Sequence, residues 1–213
     1  MNNFLISLAF VAINMISNAQ EIAILKYNGG GDWYANPTAV PNLIKFCNAN
    51  INTSIKENPE SVEVSSKDLY NYPIIFMTGH GNIFLTDKDA ENLRDYLISG
   101  GFLHISDNYG LDSFVRTELI KVFPDAELLE IPHNHPIYHQ TYAFESLPKI
   151  HEHNGKAPQG FGIFFEGRLV CFYDYESDLS DGWEDEEIHN DPKEVREKAL
   201  KMGANIIEYA FKN

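Results

Sequence analysis

The sequence predicts an α/β fold: a mostly parallel sheet with helices on both faces, closed by a C-terminal hairpin plus helix. Three observations predict it. Short apolar runs such as IIFMT (74–78) and FLHIS (102–106) have the length and continuity of strands buried on both faces. The segments between them carry apolar residues at the 3.6-residue period of a helix. Gly, Pro and capping residues punctuate the junctions. Strands alternating with helices run parallel and are covered on both sides.

The elements follow in order. Residues 21–27 (EIAILKY) form a first strand and 28–34 a glycine-rich loop. A helix opens at Asn36-Pro37, with Val40, Leu43, Ile44 and Cys47 on its apolar stripe. A short strand lies around 62–64 and a buried one at 74–78. Thr86 caps the next helix and Asp89, three residues on, completes a capping box. Ala90, Leu93 and Leu97 form its inner face, and Gly100-Gly101 ends it. Residues 102–106 are a strand, 112–123 a helix stopped by Pro124, and 126–131 a further strand. Glu166-Gly167-Arg168, between apolar runs at 161–165 and 169–173, signals a hairpin. In the last helix Asp191 is the expected N-cap, Pro192 the first position and Glu194 the closing residue of a capping box. Val195, Ala199, Met202, Ile206 and Tyr209 line one face of it. Cys47 and Cys171 both lie in apolar surroundings and read as buried free thiols, although export would permit a disulfide.

A chain of 213 residues with ordinary globular composition is expected to form one domain. Sixteen Lys and Arg against 31 Asp and Glu give a net charge of −15. That excludes nucleic-acid backbone and anionic lipid as partners, since both require a basic face. A neutral, cationic or metal-bridged ligand suits it better. Residues 1–19 contain no charged side chain, hold an apolar core at 4–13 and end in Ser17-Asn18-Ala19. They read as a signal peptide cleaved after Ala19, ahead of a domain at 20–213, so the expected destination is secreted or periplasmic. Asn14, Ser17 and Asn18 interrupt the apolar run, which falls short of the roughly 20 residues a spanning helix needs. No membrane span is expected after cleavage.

In parallel sheets the loops at the carboxyl ends of the strands converge, and ligands bind there. Five loops are therefore of interest. The first presents Trp33 and Tyr34, whose rings suit stacking on a sugar. The second holds His80 between two glycines, with Asn82 nearby. The third holds Asp107, a candidate general base, and Asn108. The fourth holds His133 and His135, which with His139 suggest a divalent metal such as zinc, although no standard zinc spacing is present. His151 and His153 form a second pair. The fifth carries Trp183, expected to cover the crevice, with Glu184 or His189 expected to reach into it.

The segments GGGDWYANPT, TGHGN, LISGGFLHISDNYG and GWEDEEIHNDPKEVREKALKMGANIIEYA together resemble a bacterial family of domains of unknown function, number 4159. That resemblance implies the class I glutamine amidotransferase-like superfold, a flavodoxin-like three-layer sandwich. The stretch from Tyr72 through Asp107 with His135-Pro136-Ile137 is also similar to trehalose-utilisation-like proteins. The amidotransferase elbow cysteine and His-Glu pair have no counterpart, because the strand end reads His104-Ile105-Ser106-Asp107 and Ile137 follows His135-Pro136. Glutamine hydrolysis is therefore not expected. The expected function is a binding or accessory module for a carbohydrate or cell-envelope component, with no cofactor. The alternative is a hydrolase with Asp107 and His80 as acid–base groups, assisted by a divalent metal. A third reading makes the crevice an interface for another envelope protein.

Overall fold

A computed structural model describes residues 20–152 and 154–213, so the expected signal peptide and His153 lie outside the described residues. Seven strands form one sheet: β1 (Ile22–Lys26), β2 (Glu60–Glu63), β3 (Ile74–Met77), β4 (Phe102–Ser106), β5 (Leu129–Glu130), β6 (Gln159–Phe165) and β7 (Arg168–Tyr175). Their spatial order is β2-β1-β3-β4-β7-β6-β5. From β2 through β7 every neighbouring pair is parallel; β6 returns antiparallel to β7, and β5 pairs antiparallel at the far edge. The β6–β7 turn places Glu166 and Gly167 at positive φ, the two-residue geometry that matches strand twist.

Helices α1 (Ala39–Asn50) and α5 (Lys193–Lys212) cover one face, and α2 (Asp87–Ile98) and α3 (Asp112–Val122) the other. Strand alternation explains the division. Leu25, Ile75, Leu103 and Ile105 point towards Leu93, Leu97, Val115 and Leu119. Ile22, Ile74, Phe76 and Phe102 point towards Leu43, Ile44, Met202 and Ile206. The result is the expected three-layer α/β sandwich with a flavodoxin-like strand order. Both cysteines are free and buried. Among the described residues no helix is long and apolar enough to cross a membrane.

Most elements fall where the pattern puts them, and the Thr86–Asp89 capping box is complete. Two differ. The strand expected at 126–131 shrinks to Leu129–Glu130 on the sheet edge, paired with Gly162 and Phe161 of β6 and followed by one further bond from Ile131 N–H to Gly160 O at 2.8 Å. α5 begins after Pro192 without a side-chain cap. The Asp191 carboxylate meets the ring of His151 instead, with Oδ1 at 2.8 Å from Nε2.

The chain leaves β1 through α1 on one face and leaves β3 through α2 on the other. The helices that follow these adjacent strands therefore lie on opposite faces, while the two loops leave the carboxyl rim side by side. This is the topological switch point of the sheet.

Candidate functional site

The loops after β1 and β3 meet at the switch point and are tied together by main-chain bonds. Gly31 N–H donates to Asn82 O at 2.9 Å and Phe84 N–H to Asn28 O at 2.7 Å. Gly79, at φ +137°, turns the chain so that His80 faces Asp32. The main-chain N–H of His80 donates to Asp32 Oδ1, and the ring Nδ1 lies 3.0 Å from Oδ2. Partial burial alone would raise the Asp32 carboxyl; the His80 amide and imidazole outweigh it and hold the carboxyl below the usual range. An Nδ1–H directed at a carboxylate leaves the Nε2 lone pair free to accept a proton or hydrogen bond. The side chain is 54 % exposed, so the ring is accessible to a ligand.

A Cβ at residue 79 would sit 2.1 Å from Tyr27 Oη, and the backbone there lies outside the region open to L-residues. Gly79→Ala is therefore expected to break the 3.0 Å bond from Tyr27 Oη to Thr78 O and to displace His80, at a cost of about 2–4 kcal/mol. A thermal melt, together with the His80 ring chemical shifts, measures both effects.

Asp107 is not a free general base. Its carboxyl is buried and accepts from Tyr173 Oη at 3.0 Å and from the Glu176 amide at 2.9 Å, clamping the loop after β4 to the end of β7. Asn108 is also buried. With its amide turned to satisfy both ends, it accepts from Thr78 Oγ1 and donates towards Asp178 Oδ1 and Asp181 Oδ1, each at 3.2 Å. It braces the rim and does not line it. The Ser106 hydroxyl is fully buried, donating to Asp174 Oδ1 at 3.1 Å and accepting from Ser180 N–H. The other oxygen of Asp174 lies 2.7 Å from His104 Nε2. Burial pushes the His104 imidazole down and the Asp174 carboxyl well up, which favours a neutral acid against a neutral imidazole. His104 and Ser106 alternate in FLHIS onto one face of the sheet, a period-two signal that would have marked them as a pair.

Across the rim, three separate segments converge. His151 places Nδ1 3.1 Å from Asp181 Oδ2 and Nε2 2.8 Å from Asp191 Oδ1. His189, at the end of the one-turn helix α4 (Glu186–His189), places Nε2 3.1 Å from Glu184 Oε2. The rings of His151 and His189 meet edge to face, 4.9 Å between centres. Asn36 Nδ2 donates to Asp181 Oδ1 at 2.6 Å, and Thr38 Oγ1 donates to Glu184 Oε1 at 3.2 Å. The Asp181 hydrogen bond, opposed by partial burial and reinforced by Asp191, raises the His151 imidazole to about 9.

Three expected placements need correction. Trp183 does not cover the crevice. It is fully buried under α5, its Nε1–H donating to Ala199 O at 2.9 Å. A large ring with one satisfied donor is core material, which the neighbouring carboxylate run concealed. His133 and His135 face different surroundings. His133 is exposed and its carbonyl meets His139 Nε2 at 2.7 Å. The His135 ring packs between Phe164 and Tyr209, away from the carboxyl rim, with Nδ1 accepting from Ile137 N–H. Of the aromatic pair, Trp33 packs onto the α2/α3 core with the Lys26 ammonium 5.0 Å above it, while Tyr34 stands exposed. Tyr109, which sequence reasoning passed over, is equally exposed in the loop after β4.

A family model described as a domain of unknown function (DUF4159) matches residues 21–211. No curated protein matches the chain.

Proposed function

The chain belongs to the DUF4159 family, and from that premise we propose that it is an exported single-domain protein whose carboxyl rim binds a small polar ligand, a glycan or other cell-envelope fragment. The Asp32–His80 pair carries this reading. It sits at the switch point with Nδ1 engaged and a half-exposed ring, which is how a protein presents one oriented acceptor to a ligand. Exposed Tyr34 and Tyr109, on loops flanking that point, offer apolar faces for sugar rings. The acidic balance of the chain favours neutral or cationic ligands. The glutamine amidotransferase-like superfold remains the scaffold we infer, without its chemistry, since the β4 end carries Ser106 locked onto Asp174 and no cysteine.

The same dyad favours a second reading. A His oriented by a carboxylate is the arrangement of a general base, so a hydrolase would use His80 as base and Asp32 as its positioning residue, with water as nucleophile. A glycan and envelope-fragment panel, assayed by calorimetry and by product formation on the chain and on His80→Ala, separates the two. A module loses about tenfold or more in affinity and shows no turnover in either form. A hydrolase keeps its affinity and loses roughly 10²–10⁴-fold in rate. If His80→Ala alters neither binding nor turnover of a ligand the parent recognises, His80 is not part of the site.

A further inference from the structure

The second cluster on the rim shares no residue with the Asp32–His80 pair and has its own chemistry. His151, Asp181 and His189 each offer one ligand-capable atom, all within 4.8 Å of one another. Asp181 Oδ2 lies 3.1 Å from His151 Nδ1 and 3.9 Å from His189 Nε2. Metal–ligand bonds of about 2.0–2.2 Å at tetrahedral angles set ligand atoms roughly 3.3 Å apart, so these separations need only a small adjustment to close on one ion.

The surroundings match as well. A ligating His usually donates its other ring nitrogen to a carboxylate, which fixes the ring and its tautomer. His151 has that partner in Asp191, 2.8 Å from Nε2. Glu184 Oε2 stands 3.1 Å from His189 Nε2, and its other oxygen is held by Thr38. The side chains of Asp181, Glu184 and Asp191 are only 12 %, 4 % and 10 % exposed. Three carboxylates so far out of water surround the two imidazoles, with the Arg196 guanidinium on the Glu184 carbonyl, and a dication would offset their negative charge. Mixed nitrogen and oxygen donors select zinc or a similar first-row ion over calcium or magnesium, which take oxygen sets.

We propose that His151, Asp181 and His189 form a divalent transition-metal site, with Asp191 orienting His151 and Glu184 beside His189 as the nearest further ligand. The site does not depend on the reading of His80, and a failure here leaves that reading standing.

The test uses the untagged, chelator-stripped chain titrated with zinc against a chromophoric chelator. One equivalent is expected to bind. His151→Gln and His189→Gln should each weaken binding by about a hundredfold or more, and Asp191→Asn by about 10–100-fold, the range for a residue that orients a ligand. His133→Gln and His135→Gln should bind as the parent does. Cobalt in place of zinc should give visible absorption bands that the His151→Gln/His189→Gln double variant lacks. Circular dichroism without metal establishes that each variant is folded. Absence of stoichiometric zinc binding by the parent, or binding that survives intact in the folded double variant, overturns the site, and the parent titration decides this even if a variant fails to fold.

Discussion

Trp183→Ala is expected to lower stability by about 3–5 kcal/mol, the range for deleting a fully buried large aromatic side chain. In a domain of this size that corresponds to a fall in Tm of roughly 10 °C. The indole is closed in on every side that the structure defines. Phe76 lies 5.7 Å from it and His104 5.6 Å, centre to centre. On the α5 side the contact is so close that a Cβ added to Gly203 would fall 2.7 Å from the indole ring. Removing the ring opens a cavity between the sheet and α5 and strips the Ala199 carbonyl of its indole donor. Because Gly182 and Glu184 flank Trp183, the loss should also loosen Glu184 and His189, and weaken any ion held there. Differential scanning calorimetry measures the first effect and zinc titration the second. A Tm within about 2 °C of the parent's, roughly the measurement margin, would mean that the indole is not the anchor of this layer.

Asp174→Ala is expected to be similarly damaging, at about 3–5 kcal/mol, because it leaves His104 Nε2 and the Ser106 hydroxyl buried without their partner. Asp174→Asn should cost much less, about 1 kcal/mol. With neutral His104, the introduced amide donates to Nε2 and its oxygen accepts from Ser106, repeating the pattern of a protonated Asp174. An ion pair would behave differently, since the Asp174→Asn change would then strand a buried imidazolium and cost as much as alanine. Urea unfolding of the two variants therefore reads the protonation state of the pair. Equal losses would refute the neutral assignment.

The layers were legible in the sequence because they follow from short-range pattern. IIFMT and FLHIS are continuous apolar runs, Thr86 and Asp89 are three residues apart, and α5 repeats its apolar face over 20 residues. The sites were legible only in part. His80 was marked by its flanking glycines, but its partner Asp32 lies 48 residues away, and only the switch point brings them together. His151 meets Asp181 and Asp191 across 30 and 40 residues, and no local period encodes that. Proximity along the chain misled in the opposite sense at His133 and His135, which are neighbours in sequence and face different surroundings. It misled again at Asp191: α5 begins one residue later than the cap pattern implies, with Pro192 in the N-cap position, and the Asp191 carboxylate meets His151.

The two margins of the sheet carry a last consequence. An unpaired strand is a template on which another molecule can add by main-chain hydrogen bonding, the first step of fibril growth. Here one margin, β2, is four residues long and turns Glu60 and Glu63 outward, with Glu60 held by Lys56 and the Tyr72 hydroxyl. The opposite margin, β5, is two residues long and exposes Glu130. A copy adding at β2 would bring carboxylate against carboxylate, and at β5 it would find almost no backbone to pair with. The chain can therefore carry strongly apolar central strands such as IIFM and FLHIS and still be guarded, once folded, against ordered self-aggregation through its borders.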